Sequence, residues 1–205
     1  MTDARQLPIV MAVTGASGAP YAVRLLRALV EAARPVQLII SSHGWRLLRT
    51  ECDIADEPAL RAHVGAGWER SVTVFDDRDR GARPASGSAL TAGMVICPCS
   101  MGTIGAIVAG TSRSLVERAA DVTLKERRPL IVVPRETPLS VIHLTNLLEL
   151  TRAGAVVMPA APGFYHRPAG IEDLVDFVVA RVLDHLRVDH RVGRRWAGEA
   201  PPLEE

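Results

Sequence analysis

Apolar runs of strand length alternate along the chain with segments of helical periodicity. The predicted strands are short, rich in Val and Ile, and mostly continuous in their apolar character: Ile9–Thr14, Val36–Ser41, Val72–Phe75, Met94–Cys97, Leu130–Val133 and Ala155–Met158. Continuous apolar strands are typical of a parallel sheet that is covered on both faces. The predicted helices are Pro20–Ala33, Gly44–Thr50, Pro58–Val64, Ile104–Ala109, Ser114–Arg127, Leu139–Arg152 and Ile171–Leu186. This alternation predicts a doubly wound α/β sheet.

Composition limits the domain count and the classes of partner. The 205 residues fit one domain, with a core over about 8–188 and a polar, basic tail over 189–205. The 24 Lys and Arg residues balance 23 Asp and Glu residues, so no general positive field would attract nucleic acid. The 3 cysteines are an odd number, which argues against a disulfide framework and favours a reducing compartment, so we expect a cytoplasmic protein.

Neither a secretory signal nor a membrane span is predicted. The first residues lack a basic lead followed by a long apolar stretch. Residues 94–109 are apolar enough to suggest a span, but Pro98, Ser100 and several glycines interrupt them. We therefore expect a buried strand, a turn and a buried helix there.

A glycine-containing turn, Thr14–Pro20, joins the first strand to the first helix. Glycines in such a turn let backbone N–H groups approach an anion at the positive end of the helix. Ser17 replaces the middle glycine of the dinucleotide fingerprint, and the second strand ends in Ser41 and Ser42 rather than in an acidic residue. Both departures favour a mononucleotide over NAD. The GxSxG motif of serine hydrolases is not matched, because its fifth position is Ala19. A tight turn that binds no ligand remains the alternative.

The turn after the fourth strand predicts a second site. The hydroxyls and free N–H groups of Ser100–Thr103 start a helix and suit an anion or the edge of a ring. Cys97 and Cys99 are spaced C-x-C with no partner pair nearby, which favours small buried residues over a metal or redox site. The helix Ile104–Ala109 has no polar face and is expected in the core or against another subunit.

Two cations share one face of the next helix. Arg118 and Lys125 are seven residues apart, which is two helical turns or about 10 Å. They are candidates for binding an anion. The alternative is an ordinary exposed face on which Glu117, Asp121 and Glu126 are their partners.

The loops after the last two strands supply further candidates. Arg135 and Glu136 stand between two prolines, which restrict that loop, and the pair is either functional or structural. A proline-rich loop presents Tyr165, and Arg181 borders the apolar stripe of the last helix, where it forms a salt bridge or holds an anion across an interface. His185 falls within that stripe and is expected to be a buried histidine.

Several blocks of sequence resemble one family, the UbiX-type flavin prenyltransferases, over about residues 8–188. These blocks are Thr14–Ala19, Pro84–Ser88, Cys97–Ser100, Glu117–Val122, Leu124–Leu130, Pro134–Pro138 and Pro162–His166. The resemblance implies a flavodoxin-like or Rossmann-like fold and a homo-oligomer, typically a dodecamer. It implies transfer of a dimethylallyl group from dimethylallyl phosphate to N5 and C6 of reduced FMN, without a metal. Prenylated FMN would then serve a UbiD-type decarboxylase, as in ubiquinone biosynthesis.

The resemblance also assigns residues by position. The FMN-binding positions are Gly15, Ala16, Ser17, Ser41, Ser100, Met101, Gly102, Thr103 and Arg118. The positions that hold the prenyl phosphate are Gly87, Lys125, Arg135, Glu136, Tyr165 and Arg181, and the last two reach in from a neighbouring subunit. Ser17, Lys125 and Glu136 are the expected catalytic residues, since a leaving phosphate needs cations and the ring closure needs proton transfer.

One departure and two rival functions remain. Family members with this loop often carry a tryptophan shortly before the Pro84–Ser88 block, where this chain has Asp79–Arg83 and no aromatic residue. The rivals are an FMN-dependent cysteine decarboxylase of related fold and a non-catalytic subunit that carries FMN. The sequence also leaves open whether the prenyl donor is a monophosphate or a diphosphate.

Overall fold

A parallel sheet of six strands forms the centre of the fold in the computed structural model, which describes residues 7–193 and 195. The strands are β1 (Ile9–Val13), β2 (Val36–Ile40), β3 (Val72–Asp76), β4 (Gly93–Cys99), β5 (Leu130–Pro134) and β6 (Val156–Val157). Their order is β3-β2-β1-β4-β5-β6, and every neighbouring pair is parallel. The order reverses between β1 and β4, which is where ligands bind in open sheets of this kind.

Helices connect the strands and cover both faces of the sheet. They are α1 (Ala19–Glu31), α2 (Ser42–Cys52), α3 (Glu57–Val64), α4 (Trp68–Ser71), α5 (Met101–Val108), α6 (Leu115–Lys125), α7 (Val141–Arg152) and α8 (Ile171–His185), with a short 3-10 turn over Arg83–Ala85. The predicted doubly wound sheet is confirmed, and each predicted element is present with shifted ends. Helix α4 was not predicted because a single turn carries no helical periodicity. Part of the predicted tail, residue 194 and residues 196–205, lies outside the described residues, as do residues 1–6.

The strands of the sheet centre are buried along their whole length. All residues of β1, β2, β4 and β5 are buried, whereas the edge strand β3 is partly exposed. Successive side chains point to opposite faces, so Met11 packs into the cluster under α1 and α8, and Val10 packs into the cluster under α5, α6 and α7. This two-sided burial explains the continuous apolar strands. The predicted buried strand and helix over 94–109 are confirmed, and no helix among the described residues could span a membrane.

One prediction about α8 is wrong. His185 is exposed, while Val175, Val182 and Leu186 are buried. At 100° per residue His185 lies about 90° from the centre of that buried face, at its flank. It therefore has no place in the core.

Candidate functional site

The loops that follow β1 and β4 are bound to each other at the point where the strand order reverses. The Thr14 hydroxyl donates to the Pro98 carbonyl at 3.2 Å and accepts from the Ser100 N–H at 2.9 Å. Thr14 is buried, so this pair of hydrogen bonds holds the two loops at a fixed separation. The rim of a crevice forms here because the carboxyl ends of parallel strands meet at one edge of the sheet.

Ser100 is the residue before α5, and its side chain caps the first turn of that helix. Its hydroxyl accepts from the Thr103 N–H at 3.2 Å and lies 3.0 Å from the Thr103 hydroxyl. A Cβ at Gly102 would have only the Ser100 hydroxyl near it, at 4.0 Å, so the backbone of this turn is open on that side. Hydroxyls and an accessible backbone at a helix start form a suitable cradle for the phosphate or the ring edge of a mononucleotide.

The β2 loop packs tightly against the β1 loop. A Cβ at Gly15 would lie 2.7 Å from the Cβ of His43, and a Cβ at Gly44 would lie 2.5 Å from the Val13 carbonyl oxygen. Ser41 caps α2 by accepting from the Gly44 N–H at 3.0 Å. Glycine is required at both positions because the start of α2 approaches the β1 loop too closely for a side chain.

The anion at the start of α1 is a side chain of the protein itself. Glu51 Oε2 accepts from the N–H groups of Gly18 and Ala19, at 2.8 Å each. The last turn of α2 therefore delivers a carboxylate to two N–H groups of the turn in which the sequence predicts a ligand anion. The binding of FMN at Gly15, Ala16 and Ser17 of that turn stays a prediction. A carboxylate at a helix N-terminus is stabilised by the free N–H groups and by the helix dipole.

Hydrogen bonding controls the ionisation of Glu51. Partial burial raises the pKa of the Glu51 carboxyl, but the N–H groups of Gly18 and Ala19 lower it. The Ser17 hydroxyl and the Arg135 guanidinium lower it further, and the net pKa lies below the ordinary value. Glu51 is thus a fixed negative charge beside Ser17.

The β5 loop turns its cation toward the β1 loop. Arg135 Nε donates to the Ser17 carbonyl at 3.2 Å, while Glu136 accepts from the Thr137 N–H at 3.1 Å. The adjacent Arg135 and Glu136 thus take different partners, and both are exposed at the rim. Ser17, Glu51, Arg135 and Glu136 together form what we call the β1–β5 rim.

The cations of α6 have acidic partners in the helix or directly after it. Arg118 donates to Asp121 at 2.7 Å with its side chain 38% exposed, and Lys125 donates to Glu126 at 2.5 Å with its side chain 47% exposed. The partners proposed for an ordinary charged face are therefore real in these two cases. Glu117 instead accepts from residues of the loop before α6. Half-exposed pairs of this kind are weak, so either cation can exchange its partner for an incoming anion.

Gly87 lies directly against the end of α6. A Cβ at Gly87 would lie 2.9 Å from Lys125 Nζ and would also collide with the Glu126 carboxylate. Lys125 is the only lysine in the chain. The structure thus brings together two residues that the sequence assigned to one phosphate site from segments nearly forty positions apart.

Tyr165 and Arg181 belong to a different part of the surface. Both line a cavity of about 400 Å³ between the loop after β6, α8 and the segment after α8. Tyr165 is in edge contact with His166 and Phe177, and Arg181 lies 3.5 Å from Asp184. Neither Lys125 nor Arg135 lines this cavity.

The two cysteines of β4 are buried thiols of low reactivity. Cys97 and Cys99 are both fully buried, and burial raises the pKa of the Cys97 thiol to about 12 and that of Cys99 still further. They are small core residues, as predicted. Residues 7–193 and 195 contain no group of three or more His, Cys, Asp or Glu side chains that could hold a metal ion.

Comparisons with known proteins identify the family. The family model described as Flavoprotein matches residues 1–183. The flavin prenyltransferase UbiX of Pseudomonas aeruginosa is 50% identical over 195 residues, which cover 92% of this chain and 93% of that protein. The chain belongs to the UbiX family of flavin prenyltransferases. UbiX of Synechocystis sp. is 46% identical over 198 residues, covering 93% of this chain and 96% of that protein.

Solved structures of UbiX proteins share the fold over nearly the whole chain. AnUbiX (PadA1), crystallised with FMN and dimethylallyl pyrophosphate, has a TM-score of 0.87 and 41% identity, covering 96% of this chain and 100% of that one. A dodecameric FMN-dependent UbiX-like decarboxylase from Escherichia coli O157:H7 has a TM-score of 0.85 and 39% identity, covering 94% and 100%. The expected flavodoxin-like or Rossmann-like architecture and the flavoprotein assignment are confirmed.

The rival cysteine decarboxylases are more distant. TvaF, an FMN-dependent cysteine decarboxylase, has 18% identity and a TM-score of 0.60, covering 89% of this chain and 99% of that one. A likeness at this level reflects the fold alone. The curated UbiX relatives, at more than twice that identity, favour the prenyltransferase.

Sequence reasoning missed two residues at the site. Glu51 was not a candidate, since no local pattern in α2 points to an N–H group 33 positions earlier. Arg128, which binds the loop that carries Gly87, was noticed only as part of the Leu124–Leu130 block. A basic residue directly after a helix and before a proline is only a weak indication that its side chain binds another loop.

Proposed function

We propose that this UbiX-family chain transfers a dimethylallyl group from dimethylallyl phosphate to N5 and C6 of reduced FMN. The allylic C–O bond breaks as C1 of the prenyl group bonds to N5, and the prenyl C=C bond is consumed as C3 bonds to C6 and C2 takes up a proton. N5 and C6 each give up one proton, of which one goes to C2 and the other leaves with the phosphate as hydrogen phosphate. The observation that carries the proposal is the position of Lys125, the sole lysine, against the backbone of Gly87. A compact cation beside a peptide backbone suits a leaving phosphate, whose negative charge grows as the C–O bond breaks. The phosphate would take the place of the Glu126 carboxylate, which is paired with Lys125 beside Gly87.

The loops at the sheet edge fit FMN. Reduced FMN, when bound, supplies the nucleophilic N5 and C6 atoms. The hydroxyls of Ser41, Ser100 and Thr103 and the open turn at Gly102 offer donors of the kind that a phosphate or a ring edge requires. We assign Gly15, Ala16, Ser17, Met101 and Arg118 to the same site on the strength of the family resemblance.

The β1–β5 rim supplies groups for proton transfer. Ser17 lies beside the ionised Glu51, so its hydroxyl can donate to that carboxylate or pass a proton to it. Glu136 is exposed at the same edge. We therefore assign Ser17 and Glu136 to the movement of protons that ring closure requires, with Glu51 orienting the Ser17 hydroxyl.

Completion of the donor site by a neighbouring subunit is part of the proposal. Arg181 and Tyr165 line a cavity that contains neither Lys125 nor Arg135, which agrees with their reaching into the site of another copy. Helix α7, together with Leu139 two residues before it, presents an exposed apolar surface whose other members are Val141, Ile142, Leu144 and Leu148. An apolar surface of this kind is typical of an interface, and a dodecamer, as reported for the Escherichia coli relative, is the assembly that we propose.

The further partners follow from the chemistry. Prenylated FMN is a cofactor rather than an end product, so we assign its use to a UbiD-type decarboxylase. The donor is proposed as the monophosphate, and the diphosphate bound to AnUbiX makes a direct comparison of the two donors informative.

The test is an anaerobic incubation of the protein with FMN, dithionite and dimethylallyl phosphate, followed by mass spectrometry of the extracted flavin. We expect a flavin heavier by one C5 prenyl unit, and the same incubation with the diphosphate ranks the two donors. Recovery of only unmodified FMN with both donors would reject the transferase activity. A peptide with a carboxyl-terminal cysteine, incubated with oxidised FMN, is the parallel test for the rival decarboxylase.

A further inference from the structure

The backbone of Arg128 is fixed by the end of α6. The Arg128 N–H donates to the Thr123 carbonyl at 2.9 Å, and the Arg127 N–H donates to the Leu124 carbonyl at 3.0 Å. Arg127 has a φ of 56°. These two bonds and the left-handed residue are the features of a Schellman motif. Pro129 follows and narrows the conformations of Arg128 further, so the Cα of Arg128 is held in a defined position between α6 and β5.

The Arg128 side chain leaves this anchor and binds the loop before β4. Its Nη2 donates to the Gly87 carbonyl at 2.5 Å, and its Nη1 donates to the Ala89 carbonyl at 2.9 Å. The planar fork of a guanidinium reaches two acceptors at once, which a lysine ammonium does less well. Arg128 is half-buried, whereas the neighbouring Arg127 is exposed, so only one of these adjacent arginines is built into the loop contact.

The bound loop is the one that presents Gly87 to Lys125. A trans peptide holds its C=O and its N–H on opposite sides. Fixing the carbonyls of Gly87 and Ala89 therefore points the N–H groups of Ser88 and Leu90 away from the guanidinium. Ser86, Ser88 and Leu90 are exposed. The hydrogen bonds within the loop are local, from the Ala89 N–H to the Ser86 carbonyl at 3.2 Å and between the Ser86 and Ser88 hydroxyls at 3.0 Å, so the Arg128 fork supplies two of its tertiary contacts.

We propose that Arg128 is a positioning residue for the prenyl-donor site, acting by clamping the loop over residues 86–90 so that the Gly87 backbone stays against Lys125. The inference rests on the proposed function, because it assigns the clamp to the site of the donor phosphate. Arg128 does not contact the reacting atoms in this role. It sets the conformation of the loop whose backbone would meet the donor.

The test compares R128Q with R127Q in the full-length protein. Both changes remove one cation from the same turn, and only R128Q removes the fork. Hydrogen exchange of the amides over 86–90 is measured first, and binding of dimethylallyl phosphate is measured by calorimetry in the presence of FMN. R128Q loses two charge-assisted hydrogen bonds. We therefore expect the amide exchange rate over 86–90 and the Kd for dimethylallyl phosphate each to rise about tenfold to a hundredfold in this variant. R127Q is expected to match the unchanged protein in both measurements.

Two further readouts separate positioning from a general loss of structure. The affinity for FMN and the melting temperature of R128Q should stay close to those of R127Q, and the KM for the donor should rise more than kcat falls. R128K, which can reach one carbonyl, should lie between the unchanged protein and R128Q. Unchanged exchange over 86–90 in R128Q, or an equal loss of donor affinity in R127Q, would overturn the inference.

The proposed function can fail separately. If the unchanged protein neither binds nor converts dimethylallyl phosphate, the donor assignment falls, and the exchange rates still decide whether Arg128 clamps the loop.

Discussion

Replacement of Glu51 should destabilise the protein by an amount that can be worked out from its contacts. Glu51→Ala leaves the N–H groups of Gly18 and Ala19 without their acceptor at the start of α1. Loss of a helix-capping acceptor costs about 0.5–2 kcal/mol, and loss of a charge that complements the helix dipole costs a further ~0.3–1 kcal/mol. The sum, about 1–3 kcal/mol, corresponds to a fall in melting temperature of about 2–12 °C for a chain of this size.

Glu51→Gln separates the charge from the hydrogen bond. The amide oxygen can still accept from the helix start, so only the part that depends on charge is lost, about 0.3–1 kcal/mol. Glu31→Gln is the matched control, because Glu31 lies at the other end of α1 with its side chain 60% exposed and 3.7 Å from Arg24. It should change stability by less than about 0.5 kcal/mol.

The effect of Glu51 should depend on pH with a definite sign. The pKa of Glu51 in the folded chain is below its ordinary value of 4.5. A carboxyl with a lowered pKa stabilises the fold fully above its unfolded pKa and loses that contribution as the pH falls through the folded value. Melting curves at one protein concentration should therefore show a difference between unchanged protein and Glu51→Gln that is complete at neutral pH and shrinks below about pH 4.5. A difference that is independent of pH, or a Glu51→Ala melting temperature equal to that of Glu31→Gln, would refute the reasoning.

The remaining predictions concern the donor site and the buried thiols. Lys125→Ala should abolish prenylation while leaving FMN bound, as measured by turnover and by flavin fluorescence titration. Gly87→Ala should weaken donor binding about tenfold or more, because its Cβ would lie 2.9 Å from the Lys125 ammonium and a displaced cation loses its charge-assisted contact. In the native protein a thiol reagent should modify Cys52 but neither Cys97 nor Cys99. Burial raises the pKa of all three thiols, but Cys52 is partly exposed whereas Cys97 and Cys99 are fully buried. All 3 cysteines should react after denaturation.

Controls make these outcomes decisive. Loss of FMN from Lys125→Ala would reassign that lysine to the flavin site. Gly81→Ala, whose Cβ would meet only the Asp79 carboxylate at 3.4 Å, should leave donor binding unchanged, and an equal effect of both glycine changes would contradict the clash at Gly87. Rapid modification of three thiols in the native protein would contradict the burial of Cys97 and Cys99.

The sheet was predictable because its pattern is local. Strands buried on both faces are continuous apolar runs, and each such run in the sequence is a strand in the structure. The two errors have separate causes. His185 was placed in the apolar stripe although its helical position lies at the flank of the buried α8 face, and helix α4 is too short to produce a periodicity.

The site was predictable only in part. The turns at Gly15 and Ser100 were found because the carboxyl ends of parallel strands meet at one edge. Contacts between distant segments could not be found in this way: Glu51 binds Gly18 from 33 positions away, and Arg128 binds Gly87 from 41 positions away. Such contacts depend on how the loops fold back over the sheet, which no local periodicity records.

The internal carboxylate at α1 explains how a sheet with the strand order of dinucleotide-binding proteins suits a smaller ligand. In those proteins the pyrophosphate lies at the first helix N-terminus, between the two nucleoside halves. Here Glu51 holds that position, so a second phosphate would meet both an occupied set of N–H groups and a like charge. The same carboxylate fixes the conformation of the turn, so less conformational entropy is lost when a ligand binds. A dinucleotide is in this way disfavoured by a side chain of the protein itself.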